Sequence, residues 1–196
     1  MRADFVNGLS EKLKIKRRDL LEKDVILHQL LSDLSKDDFF SKNFAFKGGT
    51  CLTKCYYGYK RFSEDIDFTW RNQQVYGGKS QNELRRYLSG VIDRTGEVFE
   101  GIAGKRGLRF RCAKSDRHFV ELSGSNKICT FKMWYDSEIL GRESFIKVQI
   151  NFGVSRLGFR VPCFLWNGDL PVTNLNLSLL AKSGKDFPDI LSSEMV

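Results

Sequence analysis

Two aspartates one residue apart, Asp65 and Asp67, lie in the segment Asp65-Ile66-Asp67-Phe68-Thr69-Trp70, where acids alternate with apolar and aromatic side chains. Such alternation reads as a β-strand, whose period of two puts both carboxylates on one face and Ile66 and Phe68 on the other. Carboxylates about 7 Å apart along a strand can bracket a hard divalent cation, because Mg2+ takes one or two carboxylates and leaves its other positions to water and substrate phosphates. Alone, a DxD pair on an exposed strand edge usually only solvates that edge. Upstream, however, Gly48-Gly49-Thr50 interrupts the apolar strand candidate Phe44 to Lys47 before the helix-compatible run Cys51 to Cys55. A glycine turn between strand and helix frees backbone N–H groups to face a phosphate, and the Thr50 hydroxyl and the helix N-terminus add to the attraction. An anion cradle followed by a cation-binding pair is a phosphoryl-transfer arrangement, in which positioning and charge stabilisation do most of the chemistry.

The two motifs together resemble the signature of the DNA polymerase beta-like nucleotidyltransferase superfamily. Within it, FKGGTCLTK with RFSEDIDF, and the preceding helix LLEKDVILHQLL, are similar to the AbiEii/AbiGii toxin family of type IV toxin–antitoxin and abortive-infection systems. The likeness is close from Leu20 to Trp70 and loose thereafter. It implies an α+β domain with a mixed β-sheet flanked by helices, and an enzyme that uses Mg2+, with a two-metal site, to move a nucleoside monophosphate from an NTP to an RNA acceptor such as a tRNA 3′ end. It also implies a cognate antitoxin protein. Residue by residue, Gly48, Gly49 and Thr50 would contact the triphosphate, Ser63 would support the loop or a phosphate, and Asp65 and Asp67 would hold Mg2+. Lys47 and Arg61 would be nearby cations.

Some positions depart from that pattern. A third acidic residue is common on a later central strand, and in Phe145-Ile146-Lys147-Val148-Gln149-Ile150-Asn151 the matching position is Gln149. An amide oxygen can ligate a metal, but it carries no charge and is no general base. Lys147, Gln149 and Asn151 should share one strand face, from which Lys147 could reach a phosphate. The helical lysine and the later basic-acidic pair of the family have only degenerate counterparts in Lys182 and in Lys185-Asp186 with Asp189. Two alternatives therefore stay open: a catalytically weak relative that binds nucleotide or nucleic acid, and a transferase acting on a small molecule or a protein hydroxyl.

The elements that must position these residues follow from periodicity. Apolar residues at helical spacing predict an amphipathic helix from Arg17 to Leu34, and a second helix is expected from Lys79 to Ala103. Strands are expected at Leu108 to Ala113, Phe119 to Leu122, Lys127 to Tyr135, Phe145 to Phe152 and Phe159 to Leu165, with Ser123-Gly124-Ser125-Asn126 as a turn, and a last helix at Asn174 to Ile190. This makes one domain over residues 1–196, with a helical part to residue 40, a mixed-sheet core over 41–170 and a C-terminal helix over 171–196.

With 196 residues, 41% hydrophobic, the chain can bury one real core. No apolar run approaches the roughly 20 residues that span a bilayer, and the first ten lack a signal-peptide layout, so a cytoplasmic protein without a membrane partner is expected. Five cysteines, an odd number without a CxxC pair, suggest neither a disulfide framework nor a zinc ribbon. His28 and the tryptophans are expected to be packing residues. A formal net charge of +8 favours a polyanionic partner, and KLKIKRR (Lys12 to Arg18) and GKRGLRFR (Gly104 to Arg111) are its densest stretches. Each stretch suits phosphate contact or a solvated basic face.

Overall fold

The computed structural model describes residues 3–57 and 62–153. Its elements are α1 (Ala3–Leu13), α2 (Arg18–Lys36), α3 (Asp38–Asn43), β1 (Phe44–Lys47), α4 (Gly48–Leu52) continuing into a π-helical turn (Thr53–Tyr57), β2 (Asp65–Trp70), a 3-10 turn (Gln73–Tyr76), α5 (Gln81–Arg106), β3 (Val120–Ser123), β4 (Ile128–Ser137) and β5 (Arg142–Asn151). The five strands form one mixed sheet in the order β1-β2-β5-β4-β3, in which β2 and β5 run parallel and every other neighbouring pair is antiparallel.

The sheet has two unlike faces because its strands alternate. On β5, Ile146, Val148 and Ile150 are fully buried, and on β2 so are Ile66 and Phe68. That apolar face is covered by α2, α3 and α5. Leu27, Leu30, Leu31 and Leu34 of α2 recur at i, i+3, i+4 and i+7 and enter one core with Phe40 of α3 and Leu88, Ile92 and Phe99 of α5. Phenylalanines fill the layer between: Phe40 stacks on Phe44 at 4.5 Å between centroids and meets Phe68 edge-on at 4.7 Å, and Phe99 lies 4.8 Å from Phe131. The opposite face carries the polar members of each strand, with Trp134 and Phe145 packed on each other among them at 4.7 Å between centroids.

Local signals fix the helix ends. Asp37 accepts a hydrogen bond from the Phe40 N–H at 2.7 Å and opens α3, Ser80 and Glu83 form a capping box at the start of α5, and Gly107 closes α5 in the left-handed region. Gly124, Ser125 and Asn126 all have positive φ, as the turn signal before β4 requires.

Three features differ from the expected elements. Leu108 to Ala113 is not a strand: its backbone pairs with the sheet only at Arg109, which exchanges hydrogen bonds of 2.8 and 2.9 Å with Trp134. Its side chains make other contacts instead: Arg109 pairs with Asp136 of β4 and Glu143 of β5, Arg111 pairs with Asp116, and Phe110 packs on Phe131. The helices α1 and α3 were not foreseen, since one is interrupted by Gly8 and the other is six residues long, and both are held by tertiary packing. The expected strand at Phe159 to Leu165 and helix at Asn174 to Ile190 lie outside the described residues, as do Cys163 and Trp166.

Candidate active site

The polar face of β2 is where the chemistry gathers. Asp65 and Asp67 both project there, half-exposed, between β1 and β5. The register sets their neighbours: Lys47 of β1 is opposite Asp67, Lys147 of β5 is opposite Asp65, and Gln149 is opposite Asp67 on the other side. Lys147 reaches Asp65 with its Nζ 3.3 Å from Oδ2. Five of the candidate residues, Lys47, Asp65, Asp67, Lys147 and Gln149, from three separate stretches of chain thus meet on one patch of sheet.

The glycine turn abuts that patch. Gly48 has φ +79°, and a Cβ there would fall 2.2 Å from Asp67 Oδ2 and 2.9 Å from its Cβ. Only glycine accommodates both the backbone angle and the contact. Thr50 is buried, and its hydroxyl donates to the backbone carbonyl of Asp65. It therefore ties the turn to the start of β2. Gly49 is half-buried beside it, and Ser63 lies half-buried in the segment leading into β2.

Charge balance at the site is uneven. Partial burial and the neighbouring Asp65 carboxylate push the pKa of Asp67 up, while Lys47 and Lys147 oppose the rise. A carboxylate in that state gains from any further cation. The donor set fits a divalent ion on chemical grounds, with two same-face aspartates and the Gln149 amide oxygen at hand, and the remaining positions left to water or phosphate oxygens. Among the described residues no cluster of three or more His, Cys, Asp or Glu is suited to holding a metal by itself, so substrate oxygens would have to complete the shell.

Behind the turn is a support the sequence did not announce. Lys54, in the π-helical turn, pairs with Asp24 of α2 at 2.9 Å, and both side chains are only 6% exposed. The adjacent His28 stays neutral, its pKa lowered to about 4 by burial and by Lys54. This bears out His28 as a packing residue, and the same holds for Trp70, which is buried in the aromatic core. A second tether joins Lys23 to Glu64 at 2.9 Å, one residue before Asp65. A charged residue among the buried positions of α2 was a usable signal for Asp24; nothing in sequence marks the Lys23–Glu64 pair. Arg61, Lys182, Asp186 and the neighbouring Lys185 and Asp189 lie outside the described residues.

A strand, glycine turn and helix set against a strand with two same-face aspartates, in a mixed sheet flanked by helices, define a nucleotidyltransferase domain. A family model described as "Nucleotidyl transferase AbiEii toxin, Type IV TA system" matches residues 29–172, and the chain belongs to that family. It is thus an enzyme that transfers phosphorus-containing groups, a toxin of a toxin–antitoxin system with a nucleotide substrate and an antitoxin partner. No curated protein and no solved structure gives a significant match. Among the described residues no helix is long and apolar enough to cross a membrane.

Proposed function

We propose that the protein moves a nucleoside monophosphate from an NTP to a hydroxyl of an RNA acceptor, such as a tRNA 3′ end, with Mg2+ as the cofactor. The observation that carries this reading is the close approach of Gly48 to Asp67, which sets the glycine turn directly against the aspartate pair. An acceptor oxygen attacks the α-phosphorus, the bond to the β-phosphate breaks, pyrophosphate leaves, and the hydroxyl proton passes to solvent. The backbone around Gly48 and Gly49 faces the triphosphate, Asp65 and Asp67 hold the cation, and Lys47 and Lys147 add positive charge beside the phosphates. Magnesium bound there would supply charge neutralisation for the pentavalent phosphorus and the leaving pyrophosphate. Thr50 is a positioning residue acting through the Asp65 backbone.

Purified protein incubated with each labelled NTP, Mg2+ and total tRNA should label RNA, and Asp65→Ala or Asp67→Ala should abolish labelling while leaving the circular dichroism spectrum intact. Absence of transfer by the wild type with all four NTPs would sink the proposal, and label that runs with protein or a small molecule and resists RNase would move the acceptor to those classes.

The register of Gln149 opposite Asp67 favours a second reading, a relative that binds nucleotide and turns over slowly. A neutral amide at that place neither neutralises a cation nor takes a proton. On this reading Gln149→Asp raises the transfer rate, whereas efficient transfer by the wild type removes the need for it.

A further inference from the structure

Two basic stretches stand out in the sequence, and the fold treats them differently. In GKRGLRFR, Arg106 is paired with Asp33 at 2.6 Å, Arg109 with Asp136 and Glu143 at 2.6 and 2.7 Å, and Arg111 with Asp116 at 2.6 Å. Apart from exposed Lys105, its charge is spent within the protein. In KLKIKRR, Arg17 pairs with Asp19 and Arg18 donates to the neutral amide of Asn7, but Lys12, Lys14 and Lys16 are exposed and form no ion pair among the described residues. Against these cations the corner sets Glu11, the already paired Asp19 and, near Arg17, Glu64, which is itself paired with Lys23.

The corner is also rigid and well placed. Lys14 occupies the left-handed region at φ +56°, Ile15 N–H donates to Ser10 O at 3.0 Å, and the Ser10 hydroxyl returns a bond to Ile15 O at 2.6 Å. Leu13 and Ile15 turn inward and pack in a small apolar cluster with Val6, Leu9, Leu21 and Phe62. Lys14 between them, and Lys12 and Lys16 on either side, face outward. Phe62 stands three residues ahead of Asp65, at most about 11 Å along the chain, so the basic corner borders the segment that delivers the aspartates. A row of unpaired lysines on a fixed frame beside a phosphoryl-transfer site is suited to a phosphate backbone, whose attraction is mainly charge.

We infer that Lys12, Lys14, Lys16 and Arg18 form a contact surface for the RNA acceptor's phosphates, guiding the strand toward Asp65 and Asp67. This rests on the proposed RNA acceptor, but binding can be read without catalysis. Anisotropy of a labelled tRNA with the full chain, without NTP, at several salt concentrations is the test. Lys14→Glu/Lys16→Glu should weaken binding about tenfold or more and lower the magnitude of the log–log salt slope by about 1–2, while NTP affinity stays as in the wild type. Arg85→Glu/Arg86→Glu, which removes equal charge from exposed α5, should weaken binding far less. Equal losses in the two doubles, unchanged affinity in the first, or no RNA binding by the wild type each overturn the inference. Lys14→Gln/Lys16→Gln, with the milder expectation of a three- to fivefold loss, serves if the reversal unfolds the corner. Transfer to a non-RNA acceptor with no RNA binding would overturn this surface and the RNA acceptor while leaving nucleotide transfer standing; RNA bound through the corner without transfer would uphold it alone.

Discussion

Gly48 is the residue on which the site closes. Gly48→Ala puts a methyl group into Asp67 and forces a left-handed backbone on an L side chain, so a loss of about 1–3 kcal/mol in stability is expected, with kcat/KM falling further because Asp67 must move; thermal denaturation and labelled-NTP transfer measure the two. Asp67 shows the opposite balance. Its pKa is raised, so between the ordinary value of 3.8 and its folded value the native state holds more protons than the unfolded one, and stability is lost as pH rises through that window. In metal-free protein at neutral pH, Asp67→Asn should therefore raise Tm by roughly 1–4 °C while abolishing transfer. A Tm that falls would mean the carboxylate is satisfied without a cation. The aspartates were legible as residues because a period of two is visible in sequence; the contact with Gly48 was not, since nothing local states how a turn and a strand meet.

At the scale of elements, the glycine turn depends on what lies behind it. The Asp24–Lys54 pair joins α2 to the π-helical turn in a buried setting, where removing one partner takes the counter-charge from a buried ion. Lys54→Met is expected to cost about 3–5 kcal/mol, while Asp24→Leu/Lys54→Met together should recover most of it; chemical denaturation of both variants settles this. Failure of the double to recover would show that the pair sets local geometry beyond its own charge balance. The elements β1, β2 and α2 were legible because their apolar periods agree with their buried faces. Leu108 to Ala113 misled because it alternates like a strand while its arginines are drawn into ion pairs with β4, β5 and the following loop, leaving a single bridge.

For the whole molecule, one sheet divides labour by face: the helices and the buried phenylalanine core on one side, Lys47, Asp65, Asp67, Lys147 and Gln149 on the other. Gln149→Asp tests how far that polar face is complete, and a several-fold rise in transfer rate with unchanged NTP affinity is the expected outcome if the missing charge limits turnover; steady-state kinetics with isothermal titration separate the two. Sequence alone determined the class of chemistry, because a glycine turn and a DxD strand are local patterns of residue type and spacing, and it determined the two faces of each central strand, because alternation is local too. Only the tertiary structure decided that β2 and β5 run side by side in parallel, that Lys147 therefore meets Asp65, that Thr50 serves the Asp65 backbone, and which of two basic stretches keeps its charge free. Those are pairings between distant parts of the chain, fixed by how the whole core packs and invisible to any window of neighbouring residues.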